Sequence, residues 1–232
     1  MRQAVILAGG RATRMRPHSV DRPKAMIEVA GTPILGHQLG WLAANEVASV
    51  VLSVGYRAEV IQEHVGDGAR YGVEVSYAVE DEPLGRGGGL KLGARSLPYP
   101  TESWLGLNGD VLCRFSISEL VARHRDLVAR REVAATVALA PYRSNWGVAE
   151  LDEDLIRRFV QSPQLPYWIN AGIYAFEPEV AEALPDSGDH EDTTFPRLAE
   201  GGRLGSFLVR GYWRGIDTIK DVAEAAAELS RL

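Results

Sequence analysis

The sequence predicts a single α/β domain over residues 1–232: a Rossmann-like, mostly parallel, mixed sheet flanked by helices. Three observations predict it. Short apolar runs that read as buried strands alternate with segments whose apolar spacing suits helices. A glycine pair, Gly9-Gly10, follows the first of those runs directly. The 232 residues, 46% hydrophobic and 24% charged, fit one domain with a sizeable core more easily than two small ones.

Taken in order, residues 4–7 (Ala-Val-Ile-Leu) read as a buried strand, and residues 33–46 have helical apolar spacing. Ser49–Val54 is a β-branched strand, and Ala58–Val65 is a helix stopped by Gly66-Asp67-Gly68. Residues 73–79 alternate as a strand. Residues 87–95 form a helix opening on glycines, and residues 104–107 a strand that ends at Asn108-Gly109-Asp110. A helix over Ile117–Arg131 follows, then strands over 133–140, Gly147–Asp152, 155–160 and 169–176. Residues 184–190 read as an exposed loop, and a helix over 221–232 closes the chain. No internal repeat, low-complexity tract or linker interrupts this order.

Composition removes several classes of function. No apolar run approaches the ~20 residues of a membrane-spanning helix. Met1-Arg2-Gln3 leads into a short apolar run with no small-residue cleavage site, so no signal peptide is expected. Cys113 is the only cysteine, which excludes an internal disulfide and a multi-cysteine zinc site. A net charge of −6 argues against a general nucleic-acid binder. The expectation is a cytoplasmic enzyme or binding protein, without membrane or nucleic-acid partners; a homo-oligomer is left open. The charge is nevertheless uneven. Arg2, Arg11, Arg14, Arg16, Arg22 and Lys24 face one acid, Asp21, in the first 24 residues. Such a basic cluster in an acidic chain points to a local anion site. Lysine occurs only at 24, 91 and 220, which draws attention to Lys24 as a compact point charge.

The segment Leu7-Ala-Gly-Gly-Arg-Ala-Thr-Arg-Met-Arg-Pro17, continuing to Arg22-Pro23-Lys24, sharpens that reading. A glycine-rich loop after a strand lets backbone N–H groups approach phosphate, and Arg14 and Lys24 add charge. It is not a Walker A loop, because no Gly-Lys-Ser/Thr follows. Nor is it the dinucleotide fingerprint, because a long basic loop replaces the immediate helix.

With this entry motif the chain resembles the sugar-phosphate nucleotidylyltransferase family. Glu82-Pro-Leu-Gly-Arg-Gly-Gly-Gly89, Leu107-Asn-Gly-Asp110, Trp146-Gly-Val148, Asn170-Ala-Gly-Ile-Tyr174 and Gly215-Ile-Asp-Thr218 follow in the family's order over nearly the whole chain. Short bacterial members that make GDP-heptose or GDP-mannose are the most similar in pattern. The resemblance implies that an NTP and a sugar 1-phosphate give an NDP-sugar and pyrophosphate, with Mg²⁺ as cofactor. It places Leu7, Ala8, Gly9, Gly10, Arg11, Glu80 and Gly85 around the nucleotide. Arg14 would neutralise the leaving phosphates and Lys24 would stabilise charge at the α-phosphate. Asp110 would bind Mg²⁺, with Asp217 as the second ligand or, alternatively, as a cap of the final helix. Gly147, Gln161 and Asn170 would meet the sugar.

Glu80 stands where several relatives use glutamine against a pyrimidine. A carboxylate can accept two hydrogen bonds from the N1–H and N2–H₂ edge of guanine but cannot donate to a pyrimidine carbonyl, which favours GTP. As a surface acid it could equally be solvated. Three departures from the family pattern matter. Ala12 replaces a frequent glycine, Trp146 a frequent tyrosine, and Gln161-Ser162-Pro163 the usual Glu-Lys-Pro. Ser162 cannot supply the lysine's charge to the sugar phosphate; Arg143, Arg157 and Arg158 are the nearby cations. The rival readings are a uridylyl- or cytidylyltransferase acting on a related sugar or cyclitol phosphate, and a non-catalytic nucleotide-sugar-binding regulatory subunit.

Overall fold

The central sheet is buried on both faces, which its apolar strands require. In the computed structural model, which describes residues 1–11 and 22–231, the chain begins with β1 (Gln3–Leu7), β2 (Glu28–Val29), β3 (Thr32–Pro33), α1 (Ile34–Ala44), β4 (Ser49–Val54) and α2 (Ala58–Val65). It continues through β5 (Glu74–Val79), α3 (Gly85–Ala94), β6 (Trp104–Asn108), β7 (Val111–Arg114), α4 (Ile117–Arg131) and β8 (Ala135–Arg143). β9 (Gly147–Asp152), β10 (Leu155–Gln161), β11 (Gln164–Phe176), α5 (Val180–Ala183), α6 (Thr194–Glu200), β12 (Leu204–Leu208), β13 (Tyr212–Gly215) and α7 (Ile219–Leu229) complete it.

Seven strands make the main sheet, in the order β12-β8-β11-β6-β1-β4-β5. β11 is antiparallel to both neighbours, and the other pairs are parallel. Alternation splits each strand between two cores. Ala4 and Ile6 of β1 join Leu52, with Leu39 of α1, Ile61 of α2 and Leu120 of α4. Val5 joins Val51, with Leu90 of α3 and Phe176, on the opposite face. α7 packs separately, its Ala225 against Val29, Leu112 and Ile216. Among the described residues no helix is long and apolar enough to cross a membrane.

Every strand and helix expected from the sequence is present; Ser49–Val54, Ala58–Val65, Ile117–Arg131 and Gly147–Asp152 keep their expected ends, and the others shift. The short elements β2, β3, β7, α5, α6, β12 and β13 were not anticipated, because runs of two to seven residues carry too little periodicity to read. The expectation of an exposed loop over residues 184–190 holds for Asp186, Ser187 and Gly188 and is corrected at its ends. Leu184 and His190 are buried, and the loop is latched to the start of α3. Gly87 N donates to Gly188 O (2.9 Å), Gly188 N to Leu84 O (2.8 Å), and Lys91 Nζ to Leu184 O (2.9 Å). A Cβ on Gly88 would lie 2.6 Å from Asp186 O, so the glycine run gives this loop its close approach.

β9 and β10 form a separate two-stranded hairpin. Its register pairs Gly147 with Gln161 at the root and sets Ala149, Leu151, Ile156 and Phe159 on one side. Leu151, Ile156 and Phe159 are 70%, 61% and 61% exposed, so this hairpin adds nothing to the buried cores.

Two buried histidines tie stability to pH. His124 of α4 lies between Thr136 Oγ1 (2.8 Å) and Glu177 Oε1 (3.0 Å), and burial lowers its pKa. His190, held edge-on against Tyr174 and Phe195, is pushed by burial to about 4. Both fold as neutral rings. As pH falls below the ordinary histidine value, the unfolded chain takes up protons that the native state refuses, so stability falls. For His190 the loss amounts to about 2 kcal/mol at pH 5. Urea unfolding at pH 7 and pH 5 should give a smaller drop for His190→Leu than for wild type; equal drops would contradict this account.

Candidate active site

The carboxyl ends of β1, β4, β5 and β6 open into a cleft of about 620 Å³, the edge where parallel α/β sheets place ligands. Leu7, Ala8, Gly9, Gly10 and Arg11 line it from β1, Glu80 from the end of β5, and Gly85 with Arg86 from α3. Backbone bonds fix the loop that leaves β1 at both ends. Ala8 N donates to Ser53 O (2.7 Å), and Lys24 N donates to Gly10 O (3.1 Å). The Arg11 guanidinium lies 4.9 Å from the centre of the Tyr56 ring. Arg14 and Ala12, singled out in the sequence, lie outside the described residues.

Lys24 enters the cleft from a single helical turn, Lys24–Met26, that follows Pro23. Its Nζ donates to Asp110 Oδ2 at 2.7 Å and to Asp217 Oδ1 at 2.8 Å, with the lysine side chain only 14% exposed. Asp110 sits in the turn between β6 and β7. A Cβ on Gly109 would strike the Leu7 carbonyl oxygen, so glycine lets this turn press against β1. Asp217 arrives by a device the sequence did not reveal. β13 pairs antiparallel with β7, Gly215 opposite Val111, and Ile216 N donates to Asp110 O (2.8 Å). That short ladder sets the residues just beyond β13 beside Asp110.

Asp217 does not cap the last helix. Thr218 is the cap, in a reciprocal box with Asp221. Asp221 Oδ2 also accepts from Asp217 N (3.1 Å), fixing the backbone that carries the second carboxylate. Arg214 bonds Glu224 and Glu228 and ties β13 to α7. The family's Mg²⁺ fits these residues. Two carboxylates from separate segments already converge on one cation, the Lys24 ammonium. No cluster of three or more histidine, cysteine or acidic side chains suited to a metal occurs among the described residues. Two hard oxygens, leaving the rest of the coordination to phosphate and water, suit Mg²⁺.

Glu80 is anchored in the cleft wall. Its Oε1 accepts from Ser53 Oγ (3.0 Å) and its Oε2 from Leu84 N (3.2 Å). A carboxylate has about four acceptor sites, so each oxygen keeps one free. The alternative of a freely solvated surface acid does not describe this side chain.

The expected sugar residues lie apart from the cleft wall. Gly147 and Gln161 are paired at the hairpin root, with Gln161 exposed. Asn170 Nδ2 donates to Tyr174 Oη (2.9 Å) and Glu191 Oε1 (3.2 Å), while its Oδ1 accepts from Gly172 N (2.8 Å). Of the cations near Ser162, Arg158 pairs with Glu150 on the hairpin side opposite Gly147 and Gln161, and Arg143, Arg157 and Arg158 are all outside the cleft lining. Arg86 does line the cleft, bridging Asp189 (2.6 Å) and Glu191 (3.1 Å). Burial raises the Glu191 pKa, and the Arg86 charge opposes that rise.

Sequence reasoning missed Gln38, Arg86 and Asp221. Gln38 was visible as a lone amide in an apolar helix, and Asp221 as the fourth residue of Thr-Ile-Lys-Asp.

The family model described as nucleotidyl transferase matches residues 3–231. The chain is 38% identical over 228 residues to a mannose-1-phosphate guanyltransferase of Eremothecium gossypii, covering 94% of this chain and 62% of that protein. It is also 38% identical over 226 residues to the mannose-1-phosphate guanylyltransferase catalytic subunit beta of Drosophila pseudoobscura pseudoobscura, covering 94% of this chain and 60% of that one. The chain thus spans only about three-fifths of the length of these curated relatives. The crystal structure of HddC from Yersinia pseudotuberculosis complexed with GMP-PN matches with a TM-score of 0.77 at 25% identity, over 99% of this chain and 100% of that one. With the family model matching almost from end to end, the chain belongs to the nucleotidyl transferase family.

Proposed function

We propose that this protein is a Mg²⁺-dependent guanylyltransferase that joins GTP to a manno-configured sugar 1-phosphate, a hexose or a heptose, and releases pyrophosphate. The cluster of Lys24, Asp110 and Asp217 at the mouth of the glycine-rich loop carries this reading. Guanylyl transfer is supported by the anchored Glu80 carboxylate and by the relatives, mannose-1-phosphate guanylyltransferases.

An oxygen of the sugar phosphate attacks the α-phosphorus in line; the bond to the β-phosphate oxygen breaks and pyrophosphate leaves. Both reactants are anions, so positioning and charge neutralisation are the whole task. Backbone N–H groups of residues 9–11 cradle the triphosphate. Lys24 meets the α-phosphate, where charge accumulates during transfer, and Arg14 neutralises the departing phosphates. Asp110 and Asp217 would hold Mg²⁺, which would supply positive charge against the phosphates. Glu80 accepts from guanine N1–H and N2–H₂ through its two free acceptor sites. Gly147, Gln161 and Asn170 meet the sugar hydroxyls.

The test is pyrophosphate release with Mg²⁺, the common NTPs and mannose, glucose and heptose 1-phosphates. Release with GTP and a manno-configured acceptor is expected. Release only with another NTP would overturn the Glu80 assignment, and no release from any pair would favour a non-catalytic binding subunit. Lys24→Ala should lower kcat by roughly 100-fold or more with the circular-dichroism spectrum unchanged; wild-type turnover would remove Lys24 from the chemistry. Glu80→Gln should lower kcat/KM for GTP by about 10- to 100-fold, because a charged acceptor is lost. An unchanged ranking of the NTPs would show that Glu80 does not read the base.

A further inference from the structure

We propose that Gln38, buried beneath the cleft, is a positioning residue that holds the Asp110 turn in register for the metal; this rests on the reading of Asp110 as a Mg²⁺ ligand. Gln38 lies on α1 and is 1% exposed. Its Nε2 donates to Asn108 O at 2.8 Å and to Val111 O at 3.0 Å. Those carbonyls bracket Gly109-Asp110, so one amide spans the turn from below. α1 is itself pinned along the same stretch of backbone. Trp41 Nε1 donates to Phe115 O (2.9 Å), and Asn45 Oδ1 accepts from Ile117 N (3.0 Å). Residues 38, 41 and 45 share one helix face, and together they fix the chain from the end of β6 to the start of α4.

Gln38 is not explained by packing. Its Oε1 is buried with no hydrogen-bond partner among the described residues, a cost that an apolar side chain would avoid. The two donor bonds to the turn are what the amide contributes instead. Without them the carbonyls of Asn108 and Val111 lose a buried partner, and the Gly109-Asp110 segment keeps Ile216 N, Lys24 and the contact with Leu7 but loses its tie to α1. Groups that orient a metal ligand without touching the metal commonly govern metal affinity about 10- to 100-fold.

The experiment titrates the full chain with Mn²⁺ alone, following the free Mn²⁺ signal by electron paramagnetic resonance. It compares wild type, Gln38→Met and Leu39→Val. Met keeps the length of glutamine without its donors. Leu39→Val trims a fully buried residue of the same helix without touching the turn. The expected result is Mn²⁺ binding about 10-fold or more weaker in Gln38→Met, with Leu39→Val less stable but equal to wild type in Mn²⁺ affinity. Equal affinity in wild type and Gln38→Met would overturn the inference while leaving the Asp110 reading intact. Absence of Mn²⁺ binding in wild type would overturn both. If Gln38→Met does not fold, Gln38→Asn, one methylene too short to span the turn, takes its place with the same expected loss.

Discussion

One lysine ammonium joins three stretches of chain that are far apart in sequence. Lys24 reaches Asp110 across 86 residues and Asp217 across 193. Nothing local dictates those contacts. They exist because the β1 loop, the β6–β7 turn and the exit of β13 all end at one edge of the sheet. The ammonium is mostly shielded from water, so its charge needs partners, and the two carboxylates supply them.

Much of the surrounding structure restrains those three groups. The β7–β13 ladder brings Asp217 alongside Asp110. Asp221 and the cap of α7 fix the Asp217 backbone, and Arg214 anchors β13 to α7. On the other side of the cleft, Arg86 ties the start of α3 to Asp189 and Glu191, and Glu191 in turn meets Asn170 and Tyr174. A continuous chain of polar contacts therefore runs from the cleft wall at Arg86 to Asn170.

The sequence was legible where chemistry and periodicity coincide. Apolar runs marked the strands, the glycine pair marked the loop, and Asn108-Gly109-Asp110 marked the strand end that carries a carboxylate. Asp217 was legible as a residue but not as a neighbour of Asp110, because the ladder that joins them is four residues long and bears arginine and glycine. The loop over 184–190 misled for a different reason. Its Pro-Asp-Ser-Gly-Asp composition is that of a solvated turn, yet the backbone of Gly188 bonds the start of α3 and its histidine is buried. Glycines 87–89 were read as the opening of a helix, and the structure adds that Gly87 and Gly88 make room for that loop while Gly89 makes room for Glu80 and Leu7.

The scarcity of lysine offers a direct view of the central contact. Only Lys24, Lys91 and Lys220 are present, so a protein labelled with ¹⁵N at lysine side chains gives three ammonium signals to assign. The account predicts that the Lys24 signal is protected from solvent exchange, unlike that of the exposed Lys220, and that Asp110→Asn shifts it. A Lys24 ammonium that exchanges as freely as Lys220 and ignores the loss of the Asp110 charge would contradict it.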